Sequence, residues 1–347
     1  MKAGIATGLV GYGMAGRVFH VPLIRAVPAL HLAAIATSRA DEVAALGGHI
    51  ACVPDIEALL ADPAIELIVI ATPSATHASL AMRALAAGKH VVVDKPMALS
   101  LAEARELVEA AKAADRRLFA FHNRRWDSCF MAVRAAIEAG EIGRVTHFES
   151  HFDRFRPQLR DRWREDGGPG SGVWYDLGPH LVDQAVVLFG RPQAVSADIA
   201  ALRQGGRADD FAHVLLHYPD RRVVLQASLN VPGGDAGGSP RFFVAGESGA
   251  IEKRQLDPQE AQLVAGLRPG DAGWGVDADP LVLLDGVGGR QARAVAPGTQ
   301  QRFYAEVARA LIDGSAAPNA PSELLIVAEV IEAAFRSARE GRVIRLD

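Results

Sequence analysis

Short apolar runs and helical stripes alternate through the first third of the chain. Residues 4–10 form a strand-length apolar run that stops at Gly11, and Val18, Phe19, Leu23 and Ile24 then recur at helical spacing before a second apolar strand at Leu32–Ala36. Asp55–Leu60 reads as a short helix and Ile65–Ala71 as an almost wholly apolar strand, the pattern of a central parallel strand. Thr76–Ala87 is a helix stopped by Gly88, His90–Val93 is a strand, and Leu101–Ala114 with Leu118–Phe121 add one more helix and strand. Repeated β-α units predict a doubly wound parallel sheet whose ligands bind beyond the carboxyl ends of its strands.

After Phe121 the pattern changes. A helix at Met131–Ala139 leads into a strand-like run at Val145–Phe155 and then into a helix carrying Asp176. Runs at Ala194–Leu202, Phe211–Tyr218, Arg222–Leu229 and Arg241–Ala245 follow one another with short polar turns, which predicts a mostly antiparallel sheet. Residues 300–313 and 321–339 have helical patterns, and Val343–Leu346 is a short strand. The expected fold class is α/β, with a doubly wound parallel sheet over residues 1–122 and a second α/β domain with an open, mostly antiparallel sheet over 123–347. Helix 321–339 is free to pack back on the first domain. The open sheet is a natural dimerisation surface, and the glycine-rich segments 232–238 and 286–289 are expected to be mobile loops.

Composition narrows the class. The 347 residues suffice for two cores, and 49% apolar with 22% charged residues is ordinary for a soluble globular protein. A formal charge of −4 provides no global basic field to draw in nucleic acid. Two cysteines, Cys52 and Cys129, make no disulfide framework and suit a reducing, cytoplasmic setting. No run approaches the roughly 20 apolar residues of a membrane span. The start at Met1-Lys2 is expected to lead into the first strand without a cleavable apolar segment.

Candidate chemistry begins at Gly11-Tyr12-Gly13-Met14-Ala15-Gly16, a complete G-x-G-x-x-G between a strand and a helix and closed by a second strand. Its glycines serve a tight turn, close approach of backbone to pyrophosphate, and helix–strand packing, with phosphate at the helix N-terminus. An NAD-preferring site places Asp or Glu at the end of the second strand; this chain has Thr37-Ser38-Arg39, and the nearest acid, Asp41, lies further on. A hydroxyl and a guanidinium suit a 2′-phosphate, so NADP is favoured, with NAD second. The bland reading leaves Arg39 a solvated loop charge or an adenine stack. Thr72-Pro73 and Asp94-Lys95-Pro96 fall at two further strand ends, so Lys95 sits where a nicotinamide is expected. The full candidate set for the cofactor is Gly11, Gly13, Met14, Ala15, Gly16, Ser38, Arg39, Thr72, Pro73, His77, Lys95 and Pro96.

In the second domain Asp176 and His180 lie four residues apart and His180 and Asp183 three apart, so the three project from one helical face while Leu177, Leu181 and Val182 turn toward a core. A hydroxyl over that face could lose its proton to the histidine while a carboxylate orients the ring. Asn123, Arg125, Arg154, Trp163 and Tyr175 could supply the donors and ring faces that a polyhydroxylated ligand needs. Arg154, Arg156, Arg160, Arg162 and Arg164 equally read as a solvated stretch. Their interleaving with aromatics hints at nucleic acid, but Asp153, Asp161, Glu165 and Asp166 neutralise the patch. His151, His180 and Asp183 lack metal-ligand spacing, so no metal is expected. His20 and His77 read first as packed rings, with His77 near enough to Thr72-Pro73 to touch cofactor.

Gly11-Tyr12-Gly13-Met14-Ala15-Gly16, Asp94-Lys95-Pro96 and Asp176-x-x-x-His180 together resemble the Gfo/Idh/MocA oxidoreductases over essentially the whole chain, with Asp94 where the family usually has Glu. The segments His122–Asp127, Asp161–Glu165 and Trp174–His180 are similar to the branch containing NADP-dependent scyllo-inositol dehydrogenases. The resemblance implies a Rossmann domain followed by an α/β domain, commonly paired as a homodimer or a dimer of dimers. It implies a dehydrogenase of CH–OH groups on a cyclitol or sugar, with Lys95, Asp176 and His180 catalytic. His180 would be the general base, Asp176 would tune its ring and Lys95 would stabilise developing alkoxide. Two other outcomes accompany the resemblance: an NAD-dependent glycoside hydrolase of the same fold, and a non-catalytic dinucleotide sensor.

Overall fold

The computed structural model describes residues 4–346. Met1–Ala3, in the stretch read as leaderless, and Asp347 lie outside the described residues. The chain divides into two units interleaved in sequence. One comprises the residues through Asn123 with Glu260–Trp274 and Gln300–Leu325; the other comprises Arg124–Gln259, Gly275–Thr299 and the residues from Ile326 onward.

The first unit opens with β1 (Ile5–Val10), α1 (Val21–Arg25), β2 (Leu30–Ala36), α2 (Ala40–Ala44), β3 (Ala51–Val53), α3 (Ile56–Ala61), β4 (Leu67–Ile70), α4 (His77–Ala86), β5 (His90–Val93), α5 (Leu101–Ala113) and β6 (Leu118–Ala120). All six strands are parallel in the order β3-β2-β1-β4-β5-β6, so the order reverses between β1 and β4. A crevice at such a reversal is where doubly wound sheets bind ligands. β4 and the last three residues of β5 are fully buried, which explains their unbroken apolar runs. Local chemistry sets the helix ends. Asp55 Oδ1 accepts from the Ala58 N–H (3.0 Å) to start α3. At α5, Ser100 Oγ accepts from the Glu103 N–H (3.1 Å) while Glu103 accepts from the Leu99 N–H (2.9 Å).

The structure corrects the reading of the first helix. Ala15–His20 forms a wider turn, closed by the Val21 N–H on the Gly16 carbonyl, before α1 begins. Pro22 has no N–H to return to the preceding turn, so the regular ladder cannot run through it.

The second unit holds α6 (Ser128–Glu138), β7 (Val145–Asp153), α7 (Val173–Phe189), β8 (Ala194–Ala200), β9 (Phe211–His217), β10 (Arg222–Ser228), β11 (Phe242–Gly246) and β12 (Gly249–Lys253). Then come α8 (Gln259–Ala265), β13 (Leu281–Asp285), β14 (Arg290–Arg293), α9 (Arg302–Ile312), α10 (Pro321–Glu340) and β15 (Ile344–Arg345). α8 from Glu260 onward and α9 belong to the first unit, and a further boundary between units falls within α10. The nine-stranded sheet runs β14-β13-β12-β11-β7-β10-β9-β8-β15 and is antiparallel except for the β7–β10 pair. Its core lies on one face, where Trp174, Leu181 and Val182 of α7 meet Phe148, Phe152, Val214 and Leu225 of the sheet and Val330 and Ile331 of α10. Full burial of each large side chain contributes about 1.5–3 kcal/mol.

The sequence reading missed β12, β13 and β14: polar residues hide β12 and β14, whereas β13 is a short apolar run, Leu281–Leu284, that was not read as a strand. Lys253, in β12, is fully buried and ion-paired to Asp277 (3.0 Å) and Asp279 (2.5 Å), and β14 is exposed throughout. The glycines of 286–289 are the reverse turn between β13 and β14, organised by Asp285 Oδ1 accepting from the Val287 (2.9 Å) and Gly289 (2.8 Å) N–H groups. Gly233 and Gly237 bracket a short helical turn within 232–238 in left-handed conformations.

Candidate active site

The turn after β1 builds a cradle from three differently placed glycines. Gly11 has φ +93°, and a Cβ there would meet the Ala71 carbonyl at 2.7 Å. A Cβ on Gly16 would strike the Gly11 carbonyl at 2.2 Å, so the helix can close on the turn only without a side chain. A Cβ on Gly13 would meet nothing within 4 Å. That position faces open space, as close approach of a pyrophosphate requires. Met14 is exposed and Ala15 opens the widened turn. These residues fit a dinucleotide.

At the end of β2, Ser38 and Arg39 begin the loop into α2. Arg39 Nη1 donates to Glu42 Oε1 and Arg17 Nη1 to Glu42 Oε2, both at 3.0 Å. The little desolvation at Glu42 raises its carboxyl, but the two guanidiniums outweigh it and hold the group below the usual range. Two cations thus already converge on one anion where a 2′-phosphate is expected. Arg17 was not singled out from sequence, although its place directly after Gly16 was the available signal.

At the ends of β4 and β5, His77 ties two loops together. Its Nδ1 lies 2.7 Å from the Pro96 carbonyl and its Nε2 lies 2.8 Å from that of Thr72. Thr72 Oγ1 shares a hydrogen bond with Thr76 (2.7 Å), whose own hydroxyl donates to the Pro73 carbonyl (2.8 Å). Lys95, half-buried, precedes a cis peptide to Pro96. Its N–H donates to Asp94 Oδ1 (2.8 Å). Asp94 Oδ2 lies 3.8 Å from Nε2 of the fully buried His20, whose Nδ1 is 2.6 Å from the Tyr304 hydroxyl. Burial pushes the Asp94 carboxyl up, yet His20 beside it, with the charges of Lys95 and His77, holds it well below the carboxylate range. Burial and the Asp94 charge keep Tyr304 a neutral phenol. No sequence signal pointed to Tyr304, which is 284 residues from its partner. Asn123, in the same unit, donates from Nδ2 to Gln300 Oε1 (2.9 Å).

In the second unit α7 carries Tyr175, Asp176 and His180. Asp209 starts this helix: its carboxylate accepts from the Trp174 N–H and its carbonyl from the Val173 N–H, both at 2.8 Å. Gly172 (φ +96°) leaves room for that carboxylate, because a Cβ would lie 1.9 Å from Asp209 Oδ1. Burial, with the Asp210 charge adding to it, raises the Asp209 carboxyl to about 6 despite these amide bonds. Gly178 lets Trp174 and Ile331 pack against the helix backbone, where a Cβ would lie 2.7 Å from the indole. Both carboxylates flanking His180 on the helix have guanidinium partners. Arg164 Nε bonds Asp176 Oδ1 (3.2 Å), and Arg125 grips Asp183 in bidentate fashion (2.6 and 2.9 Å). His180 is buried, and Tyr175 stacks on Phe335 of α10 with ring centroids 4.7 Å apart. The Arg154 guanidinium lies 5.2 Å from the Phe152 ring, and that of Arg164 4.4 Å from Trp163. Arg154 and Asp176 line one cleft. Among the described residues no group of three His, Cys, Asp or Glu side chains is disposed to hold a metal ion, and no helix is long and apolar enough to cross a membrane.

A six-stranded parallel sheet with this order and an open glycine turn at its reversal defines a Rossmann-type dinucleotide-binding protein. The chain belongs to the Gfo/Idh/MocA oxidoreductase family. Residues 5–122 match its NAD-binding Rossmann fold and residues 134–346 its C-terminal α/β domain. It is 45% identical over 342 residues to the oxidoreductase YdgJ of Escherichia coli, covering 98% of each chain. It is 34% identical over 348 residues to the scyllo-inositol 2-dehydrogenase (NADP+) IolW of Bacillus subtilis, covering 99% of this chain and 96% of that one. The crystal structure of an oxidoreductase from Klebsiella pneumoniae superposes with a TM-score of 0.92 at 48% identity, over 100% of this chain and 96% of that one.

Proposed function

We propose that this protein transfers a hydride between NADP(H) and a secondary alcohol or ketone of a cyclitol or sugar, with NAD(H) as the weaker cofactor. The observation that carries the reading is the presence of Lys95, Asp176 and His180 on a chain resembling an NADP-dependent scyllo-inositol dehydrogenase from end to end. Gly11, Gly13, Met14, Ala15 and Gly16 hold the pyrophosphate. Ser38 and Arg39, joined by Arg17, take the 2′-phosphate, and Thr72, Pro73, Lys95 and Pro96 flank the nicotinamide, with His77 fixing the two loops. When bound, the cofactor supplies the hydride acceptor or donor.

During oxidation His180 removes the hydroxyl proton, and during reduction it returns it. Asp176 tunes the imidazole, and Lys95 donates to the substrate oxygen as alkoxide charge develops. Asp94 positions Lys95 through its backbone N–H. Asn123, Arg125 and Arg154 offer donors, and Trp163 and Tyr175 offer ring faces to the polyol. Free thiols at Cys52 and Cys129 suit a cytoplasmic location. The uncovered face of the large sheet is the surface on which a second copy pairs. His180→Ala is expected to lower kcat by about 10²–10⁴-fold with cofactor affinity nearly unchanged. Cofactor affinity falling as far as kcat overturns the assignment.

A further inference from the structure

We propose that the polyol or sugar carries an oxyanion, either a phosphate ester or a carboxylate, and that an arginine-lined cleft beside α7 holds it. The inference rests on the oxidoreductase reading above for the identity of the molecule bearing the anion; the cleft itself stands on its geometry.

The segment after β7 places arginine at 154, 156, 160, 162 and 164, with bends at Gln158 and Asp161–Arg162 and a short helical turn at Trp163–Glu165 that carries Arg164. Its first three residues are pinned as an extension of the strand. The Arg154 N–H donates to the Ser228 carbonyl (2.7 Å), the Arg156 N–H donates to that of Leu229 (2.8 Å), and Phe155 bridges to Asn230. Arg162 is likewise extended, with φ −154° and ψ 150°. All five guanidinium-bearing residues line one concave cleft.

The charge balance is one-sided. Against five arginines the cleft sets three carboxylates, Glu165, Asp176 and Asp209. Arg162 bonds Glu165 (2.6 Å) and Arg164 bonds Asp176 (3.2 Å), contacts that fix two of the guanidiniums at the wall. Buried Arg203 locks the same wall by joining Glu165 (3.0 Å) to Asp210 (2.9 Å) and donating to the Arg156 carbonyl (2.9 Å). However the individual pairs form, the lining holds a formal excess of positive charge.

A guanidinium only donates and does not lose its proton, so it can meet a hydroxyl only as an acceptor and leaves the O–H unused. Their fork geometry matches carboxylate and phosphate oxygens. The cleft is concave and walled by α7, so its ligand is a small molecule rather than a nucleic-acid strand. Asp176 and Leu177, both lining it, lie within one helical turn of His180. An anion seated there places the rest of the molecule along α7, beside the proposed proton acceptor.

The test uses the full-length protein saturated with NADP(H), so that Arg17 and Arg39 are already engaged. Neutral cyclitols and sugars are compared with their monophosphates in one arm and with the corresponding uronates or aldonates in the other. The charged compound of one arm is expected to exceed its neutral parent in kcat/KM by about 10–100-fold, chiefly through KM, the range of a charge-assisted hydrogen bond to an oxyanion. Whichever arm responds identifies the anion. Inorganic sulfate is expected to compete with that substrate in the wild-type protein, a readout that needs no variant. In an Arg156→Ala/Arg160→Ala protein the anionic-to-neutral ratio should fall at least about tenfold, with partial recovery when Arg160→Lys replaces Arg160→Ala.

Equal kcat/KM for charged and neutral compounds, with no sulfate competition, overturns the proposal while leaving the oxidoreductase reading intact. Sulfate binding by calorimetry that the double variant abolishes, with no compound oxidised or reduced, supports the anion site and overturns the oxidoreductase reading instead.

Discussion

Gly13 and Gly16 belong to one motif but predict opposite outcomes on substitution by alanine. At Gly16 the added Cβ would sit 2.2 Å from the Gly11 carbonyl, a backbone atom that cannot turn aside. Overpacking of this kind costs about 1–3 kcal/mol. Each kcal/mol lowers the melting temperature by about 2–4 °C in a unit of this size, so Gly16→Ala should melt several degrees lower. At Gly13 the Cβ meets nothing within 4 Å, and the backbone is not in the left-handed region. Restricting the unfolded chain there stabilises by about 0.4–1 kcal/mol, so Gly13→Ala should melt at the wild-type temperature or slightly above. The methyl nevertheless occupies the space that a pyrophosphate must enter. Losing one charge-assisted hydrogen bond costs about 1.5–3 kcal/mol, or roughly 10–100-fold in Kd. Differential scanning fluorimetry without cofactor and calorimetric titration with NADP+ separate the two effects. Gly13→Ala that binds NADP+ normally, or that melts several degrees low, refutes the assignment of that space to a phosphate.

Two further outcomes follow from charged groups. Arg17→Ala and Arg39→Ala should each weaken NADP+ binding about tenfold or more while changing NAD+ binding little, the loss of one guanidinium–phosphate contact. Glu42→Gln, which frees both guanidiniums of their shared carboxylate, should shift preference toward NADP+; direct titration of both cofactors checks this. Asp209 is raised from 3.8 to about 6, so the fold favours its protonated form, and that stabilisation is full below pH 3.8 and lost as pH rises through about 6. Urea midpoints should therefore show Asp209→Asn gaining on wild type across that interval, by at most about 3 kcal/mol, whereas parallel curves contradict the burial argument.

The parallel sheet was legible because its central strands are buried on both faces and nothing polar interrupts them, as in Leu67–Ile70. The glycine turn was legible because its spacing is a direct consequence of the backbone geometry it must adopt. Elements stabilised by polar partners were not. β12 hides behind Lys253, whose burial is permitted only by two aspartates more than twenty residues away. Pro22 was not singled out in the sequence, yet it opens α1 and interrupts the regular ladder at the widened turn before it. The site divided in the same way. Asp176 and His180 announced themselves by helical spacing, whereas Tyr304 reaches His20 only through tertiary folding. The five arginines were visible as charges and read equally well as a solvated stretch; only the cleft shows them converging. Periodicity reports which face is buried, and it is silent on what a charged side chain faces.

The central claim is hydride exchange between a nicotinamide cofactor and a polyol hydroxyl, and absorbance of the reduced cofactor measures it directly. Purified protein is incubated with NADP+ or NAD+ and scyllo-inositol, myo-inositol, aldoses and their phosphates and uronates, and the reverse reaction is run from the matching ketones. The account predicts reduced cofactor with a cyclitol or sugar, faster with NADP+ than with NAD+. Cofactor bound but unchanged across the panel in both directions contradicts it.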